Sequence, residues 1–206
     1  MTNGFSKWAS VGGWRLGYAY FPPSLKTLFE AVYKSASNTY SCAPTPMQYA
    51  IAQVLEENAI ELDLYMKSCS AILSLVGGFC ARELSSVGVT GHQSEAGYYF
   101  IADFEVIRSG LAKRGIFTGV EMTEALLQEA RLMSNTMFLL PPEDLTVRFC
   151  FVCFDGSKAL RAYQNLQENC FTVDPFNDLG KEFIEKNCQN LVQGLERLKN
   201  WVKKHS

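Results

Sequence analysis

The sequence predicts an α/β protein: a short strand–turn–strand unit and its helices, then an α+β module hung from a long helix. Three observations carry this. The first is a glycine-rich run, NGFSKWASVGGWRLGY from Asn3 to Tyr18, set between two short extended segments. The second is a helical period from about Ala59 to Ser86, with Leu62, Tyr65, Met66, Cys69, Ile72, Leu73 and Val76 at helical spacing. The third is Leu145 to Phe154, the most convincing strand in the chain.

Taken in order, Asn3 to Ser6 reads as the end of a strand and Leu16 to Phe21 as another, closed by Pro22-Pro23. Ser24 is placed to N-cap an amphipathic helix with Leu25, Leu28, Phe29 and Val32 on one face. SNTYSCAPTPMQ is a loop, and Pro46 suits the first turn of the helix MQYAIAQVLEEN. Gly77-Gly78 is a point at which the long helix could bend. Val87 to Thr90 and Tyr98 to Ala102 read as strands, and Phe104 to Arg114 as a helix. GIFTG reads as a short strand and turn, Glu121 to Met133 as helix, and Thr136 to Leu140 as extended. Ser157 to Asn169 and Lys181 to Lys203 are the closing helices.

Composition narrows the function classes. At 206 residues with 48% hydrophobic and 19% charged residues, the chain can bury a sizeable core. A net charge of −2 gives no electrostatic case for nucleic acid or an anionic membrane. The basic stretch Lys199 to Lys204 suits the C-terminal end of a helix dipole. No segment reads as a membrane span and the start lacks a signal-peptide pattern, so a cytoplasmic protein is expected. Seven cysteines in a chain of this size fit reduced thiols better than a disulfide framework. Cys150 and Cys153 form a C-x-x-C, but within a strand such positions face opposite sides, which argues against joint redox or metal chemistry. With only His92 and His205, no histidine-rich metal site is expected.

Within the opening run, Lys7 and Arg15 flank a glycine-rich turn. A lysine amine can condense with a carbonyl, and a guanidinium grips phosphate better than an ammonium does. Gly12, Gly13 and Gly17 let the backbone turn tightly. From chemistry alone the same residues also suit a solvated surface. Likewise Arg148, an arginine inside an apolar strand, could serve a structural ion pair or an anionic ligand.

The string GFSKWASVGGWRLGYAYFPP closely resembles the cofactor-lysine segment of class I/II pyridoxal-phosphate-dependent aminotransferases, the aspartate aminotransferase-like group of fold type I. SCAPTPMQYAI resembles the loop and helix that follow in that family, EAGYYFIADF its small-domain strand, and LTVRFCFVCFDG the strand bearing a substrate-binding arginine. The resemblance implies pyridoxal 5′-phosphate as cofactor, Lys7 as its Schiff-base lysine and catalytic base, and Arg15 as its phosphate ligand. It implies Arg148 as the ligand of the substrate α-carboxylate, and amino acids and 2-oxo acids as substrates. It divides the chain into 1–65, a truncated part of the cofactor-binding large domain, and 66–206, the C-terminal small domain.

Against the family pattern the chain is expected to be a C-terminal half. The aspartate that pairs with the pyridine nitrogen would lie upstream, and only the last two strands of a large parallel sheet are expected. Gly4 stands where the family commonly has a phosphate-binding serine, and Pro141-Pro142-Glu143-Asp144 replaces a longer glycine-containing loop. The isolated chain is therefore expected to be a weak or inactive aminotransferase. The alternatives are a non-catalytic interaction fragment and a truncated gene product. The partners implied are a second copy in a homodimer or a separate N-terminal half.

Overall fold

The computed structural model describes residues 1–91, 94–137, 139–168, 174 and 177–206. His92, Phe138 and Asn169, which enter the expectations above, lie outside the described residues. The chain forms two compact units, Met1–Lys67 and Ser68–Ser206.

In the first unit, strand β1 (Thr2–Gly4) pairs with β2 (Gly17–Ala19), with Asn3 opposite Tyr18. The pair is antiparallel, which corrects the expectation of two strands from a parallel sheet. The chain reverses through the glycine turn without a crossover helix, and only antiparallel partners can be joined so briefly. Between them lie a single helical turn, α1 (Phe5–Trp8), and a 3-10 turn over Gly12–Trp14. Phe5, Ala9, Leu16 and Ile51 form a small core, flanked by Trp8, Val11, Trp14 and Ala43.

Ser24 is not a helix cap. It lies inside a 3-10 turn, Pro23–Leu25, and α2 (Lys26–Thr39) follows with no capping side chain. The apolar face anticipated on α2 is there, but Leu28, Phe29 and Val32 are all exposed and the helix buries no residue. Helix α3 (Thr45–Glu57) carries Pro46 in its first turn.

Helix α4 (Ala59–Ser85) runs unbroken through Gly77-Gly78. Those positions serve contact rather than bending. A Cβ on Gly77 would stand 3.2 Å from Phe151 Cζ, so the glycine admits the ring against the helix backbone. Contrary to the sequence expectation, α4 is long and apolar enough to cross a membrane, with a mean hydropathy of 1.4. Its apolar residues Ile72, Leu75, Val76, Phe79 and Leu84 instead enter the core of the second unit.

That unit is built on a three-stranded antiparallel sheet of β3 (Tyr99–Asp103), β4 (Asn135–Thr136) and β5 (Thr146–Cys150), in the order β3-β5-β4. One face, with Phe100, Ala102 and Val147, is buried; the other carries Tyr99, Ile101 and Arg148. Val87 to Thr90 forms only an isolated bridge from Thr90 to Asp103. Strand β5 stops at Cys150, and Cys153 lies beyond it. The two thiols therefore do not alternate across one strand; both are exposed and both border one cavity.

A short helix, α5 (Arg108–Ala112), follows β3. GIFTG contributes no strand. Thr118 instead opens α6 (Gly119–Ala125) with a capping box, its hydroxyl accepting from the Glu121 N–H while Glu121 accepts from the Thr118 N–H. A π-helical turn, Leu126–Ala130, continues α6, and Arg131 ends it in the left-handed region at φ 57°. Helix α7 (Gly156–Glu168) comes next. The expected last helix is two, α8 (Asp178–Asn187) and α9 (Gln189–His205), broken at buried Cys188. There Asn187 donates its side-chain amide to the Phe183 carbonyl at 2.8 Å.

The core joins α4, the sheet and α9: Phe104 meets Trp201 edge-on at 6.5 Å between centroids and Phe149 at 6.1 Å. Lys199 on α9 pairs with Glu83 on α4 at 2.6 Å, tying the two helices at a largely desolvated position.

Candidate functional site

The hairpin connection carries both Lys7 and Arg15. Phe5 anchors it: its N–H donates to the Leu16 carbonyl at 3.2 Å, and its ring packs on Trp8 and Tyr18, each at 5.2 Å. With Phe5 turned inward, Lys7 projects to the exposed side of α1. Gly17 allows a close approach, because a Cβ there would stand 3.1 Å from the Asn3 carbonyl oxygen across the strand pair, tighter than ordinary contact. Immediately before it, Arg15 adopts the left-handed conformation at φ 54° and donates from Nη1 to the Gly12 carbonyl at 3.0 Å. The backbone therefore presents the guanidinium in a fixed, exposed place.

Arg15 borders a cavity of about 520 Å³ together with Tyr18, Tyr40, Cys42 and Pro44. Arg15 sets a guanidinium, the group that suits a phosphate, at the cavity wall; Lys7 brings a primary amine on the same hairpin connection but is not among the residues lining the cavity. Tyr40 and Cys42 were not singled out from the sequence. Their signal was the SNTYSCAPTPMQ loop, where Ser41 takes φ 67° and turns the chain.

Arg148 sits in the central strand of the second unit, opposite Ile101 on β3 and Asn135 on β4. Its guanidinium lies over the Tyr99 ring, 4.6 Å from the centroid. With the Asn135 amide turned so that its oxygen faces the arginine, Nη2 donates to it at 2.9 Å. Among the described residues no carboxylate forms an ion pair with Arg148. Among those residues, the structural ion pair considered from the sequence is thus not made. Arg148 is thus a half-buried cation oriented by a ring and an amide. Tyr99 and Asn135 are invisible until strand register is known, since one is a diagonal neighbour of Arg148 and the other lies directly opposite.

Residues 1–163 match the family model "Aminotransferase class I and II". The chain belongs to that family. An aspartate aminotransferase from Thermotoga maritima is 32% identical over 142 residues, which are 68% of this chain and 32% of that enzyme. An asparagine–oxo-acid transaminase from Streptococcus mutans is 29% identical over 129 residues, 63% of this chain and 30% of that protein. Among solved aminotransferases, the aromatic enzyme from Pyrococcus horikoshii superposes with a TM-score of 0.63 at 21% identity, covering 98% of this chain and 42% of that one. The aspartate aminotransferase from Rhizobium meliloti gives 0.63 at 19%, covering 100% and 42%. The chain spans about a third of the length of the curated relatives it matches.

Proposed function

We propose that this chain carries the lysine and two arginines of a pyridoxal-phosphate-dependent aminotransferase, a transferase moving an amino group between an amino acid and a 2-oxo acid. Residues 1–65 would belong to the cofactor-binding large domain, and 66–206 would be the C-terminal small domain. The observation that carries the reading is Arg15, held by the Gly12 carbonyl at the wall of a roomy cavity on the connection that also bears Lys7. When bound, pyridoxal phosphate supplies an aldehyde for the amino group and a ring that takes up electron density from the α-carbon.

The chain's own residues do the rest. Arg15 neutralises and orients the phosphate, fixing where the aldehyde can lie relative to Lys7. Lys7 would be the residue that holds the cofactor through its Nζ, and its amine would serve as the general base for the proton at the substrate α-carbon. Arg148 takes the substrate α-carboxylate, its plane set by Tyr99 and Asn135.

Turnover at the rate of a complete aminotransferase is assigned to an assembly larger than these 206 residues, with the remaining family sequence or a second copy as partner. The uncovered apolar face of α2 supports that reading, because a stripe of Leu28, Phe29 and Val32 left in water is a contact surface. We place the protein in the cytoplasm, where the six free thiols among the described residues would stay reduced.

The test is capture of the cofactor. The chain is mixed with pyridoxal phosphate, reduced with borohydride and digested, and the modified lysine is located by mass spectrometry. Modification concentrates at Lys7 and the visible absorbance band disappears in Lys7→Ala. Equal modification of surface lysines such as Lys67 and Lys203 would sink the proposal.

A further inference from the structure

The second unit contains a cavity that the aminotransferase reading does not use. It has a volume of about 280 Å³ and lies between the sheet and α9. Its walls are apolar, formed by Phe100, Phe149, Leu191, Leu195 and Leu198, all buried or half-buried. Its inner thiol, Cys80, is neutral, because burial pushes it up to about 12. Among the described residues no acidic side chain lines it. This is the composition of a small-molecule site: an apolar chamber near the lower end of the usual size range, with few polar groups.

Those polar groups are at the rim. Arg131 and Asn190 line the cavity and are exposed, and among the described residues the Arg131 guanidinium makes no hydrogen bond or ion pair. An unpaired cation at the mouth of an uncharged apolar chamber is complementary to one ligand class, an apolar body ending in an anion. The backbone adds a second observation. Arg131 occupies the left-handed region at φ 57° directly after the π-helical turn Leu126–Ala130. A glycine would hold that place without strain, and both π turns and left-handed non-glycine residues concentrate at functional positions.

We propose that this cavity binds a small apolar monocarboxylic acid, with its hydrocarbon body against Leu191, Leu195 and Phe149 and its carboxylate on Arg131. The site is separate from Arg148, which projects from the opposite face of the sheet to Phe100 and Val147. It binds whether or not the chain takes a cofactor.

Calorimetric titration of the full chain with octanoate tests this, with octan-1-ol as the neutral control. An acid of that size should bind with a dissociation constant of about 0.1–1 mM. Arg131→Gly relieves the backbone strain and removes the cation, so the variant stays folded while octanoate affinity falls about tenfold and octanol affinity holds. Arg148→Met leaves octanoate binding unchanged. The proposal is overturned if octanoate gives no saturable heat, or if Arg131→Gly binds it as tightly as the parent chain. Equal affinity for octanol and octanoate overturns it too, as does loss of binding in Arg148→Met, which would put the carboxylate on the other face of the sheet.

Discussion

The indole N–H of Trp201 donates to Glu129 Oε2 at 3.2 Å, so a core aromatic of the last helix is tied to the π-helical turn after α6. Arg114 and Lys204 converge on the same carboxylate, and His205 sits beside it with its Nδ1 against the Trp201 carbonyl. The Arg114 hydrogen bond, aided by Lys204, holds the Glu129 carboxyl at about 2 against an ordinary 4.5. A folded value below the unfolded one gives stability that is full above about pH 4.5 and is lost as pH falls toward 2. Glu129→Gln should cost about 1–2 kcal/mol at neutral pH. Its urea midpoint, followed by circular dichroism, should vary less than the parent's between pH 4.5 and 2. A parallel pH dependence in the two proteins would refute the assignment.

Arg15→Gln should weaken capture of pyridoxal phosphate about tenfold or more, because a guanidinium–phosphate pair is lost. Lys7→Ala should abolish borohydride-stable modification at that position while leaving competition by inorganic phosphate intact. The split separates an amine that reacts from a cation that holds. Fluorescence titration with pyridoxal phosphate, with and without phosphate, reads both.

Gly77→Leu should destabilise the second unit by about 1–3 kcal/mol, because the new side chain meets the Phe151 ring in a filled core. Phe151→Ala in the same chain should recover part of that loss, since it vacates the space. Denaturant midpoints of the two single variants and the double variant give the coupling. Strict additivity would mean that the two positions do not compete for the same volume.

On α2, Phe29→Gln and Val32→Gln should each change the chain's own stability by no more than about 0.5 kcal/mol, because both sites face water. Phe104→Ala, fully buried, should cost about 3–5 kcal/mol. If the α2 face is a contact surface, the glutamine variants will shift light-scattering mass toward the monomer at high concentration.

Legibility tracked how local the deciding physics was. The long helix α4 was readable within a residue of its observed end, since its apolar spacing persists over many turns. The Lys7–Arg15 run was readable as a motif because its glycines and aromatics are contiguous. By contrast, Val87 to Thr90 has the composition of a strand, yet only Thr90 finds a partner. Pairing is a tertiary fact. GIFTG looked extended, but Thr118 and Glu121 satisfy each other's backbone N–H groups, turning the segment into a helix entrance. The break at Cys188 carries neither glycine nor proline, so nothing local marked it. Arg148 was visible as an anomaly, whereas its supports, Tyr99 and Asn135, came from two other strands.

The position of β5 at the centre of its sheet has a consequence for synthesis. Both neighbours, β3 and β4, precede it in the chain, so neither can make a ladder bond of this sheet until residues 146–150 have left the ribosome. Closure of the core waits longer still, for Trp201 and Val202 near the end of α9. The nascent second unit thus carries Phe100, Ile107 and Met122 uncovered until α9 has been made, and its folding waits on that helix.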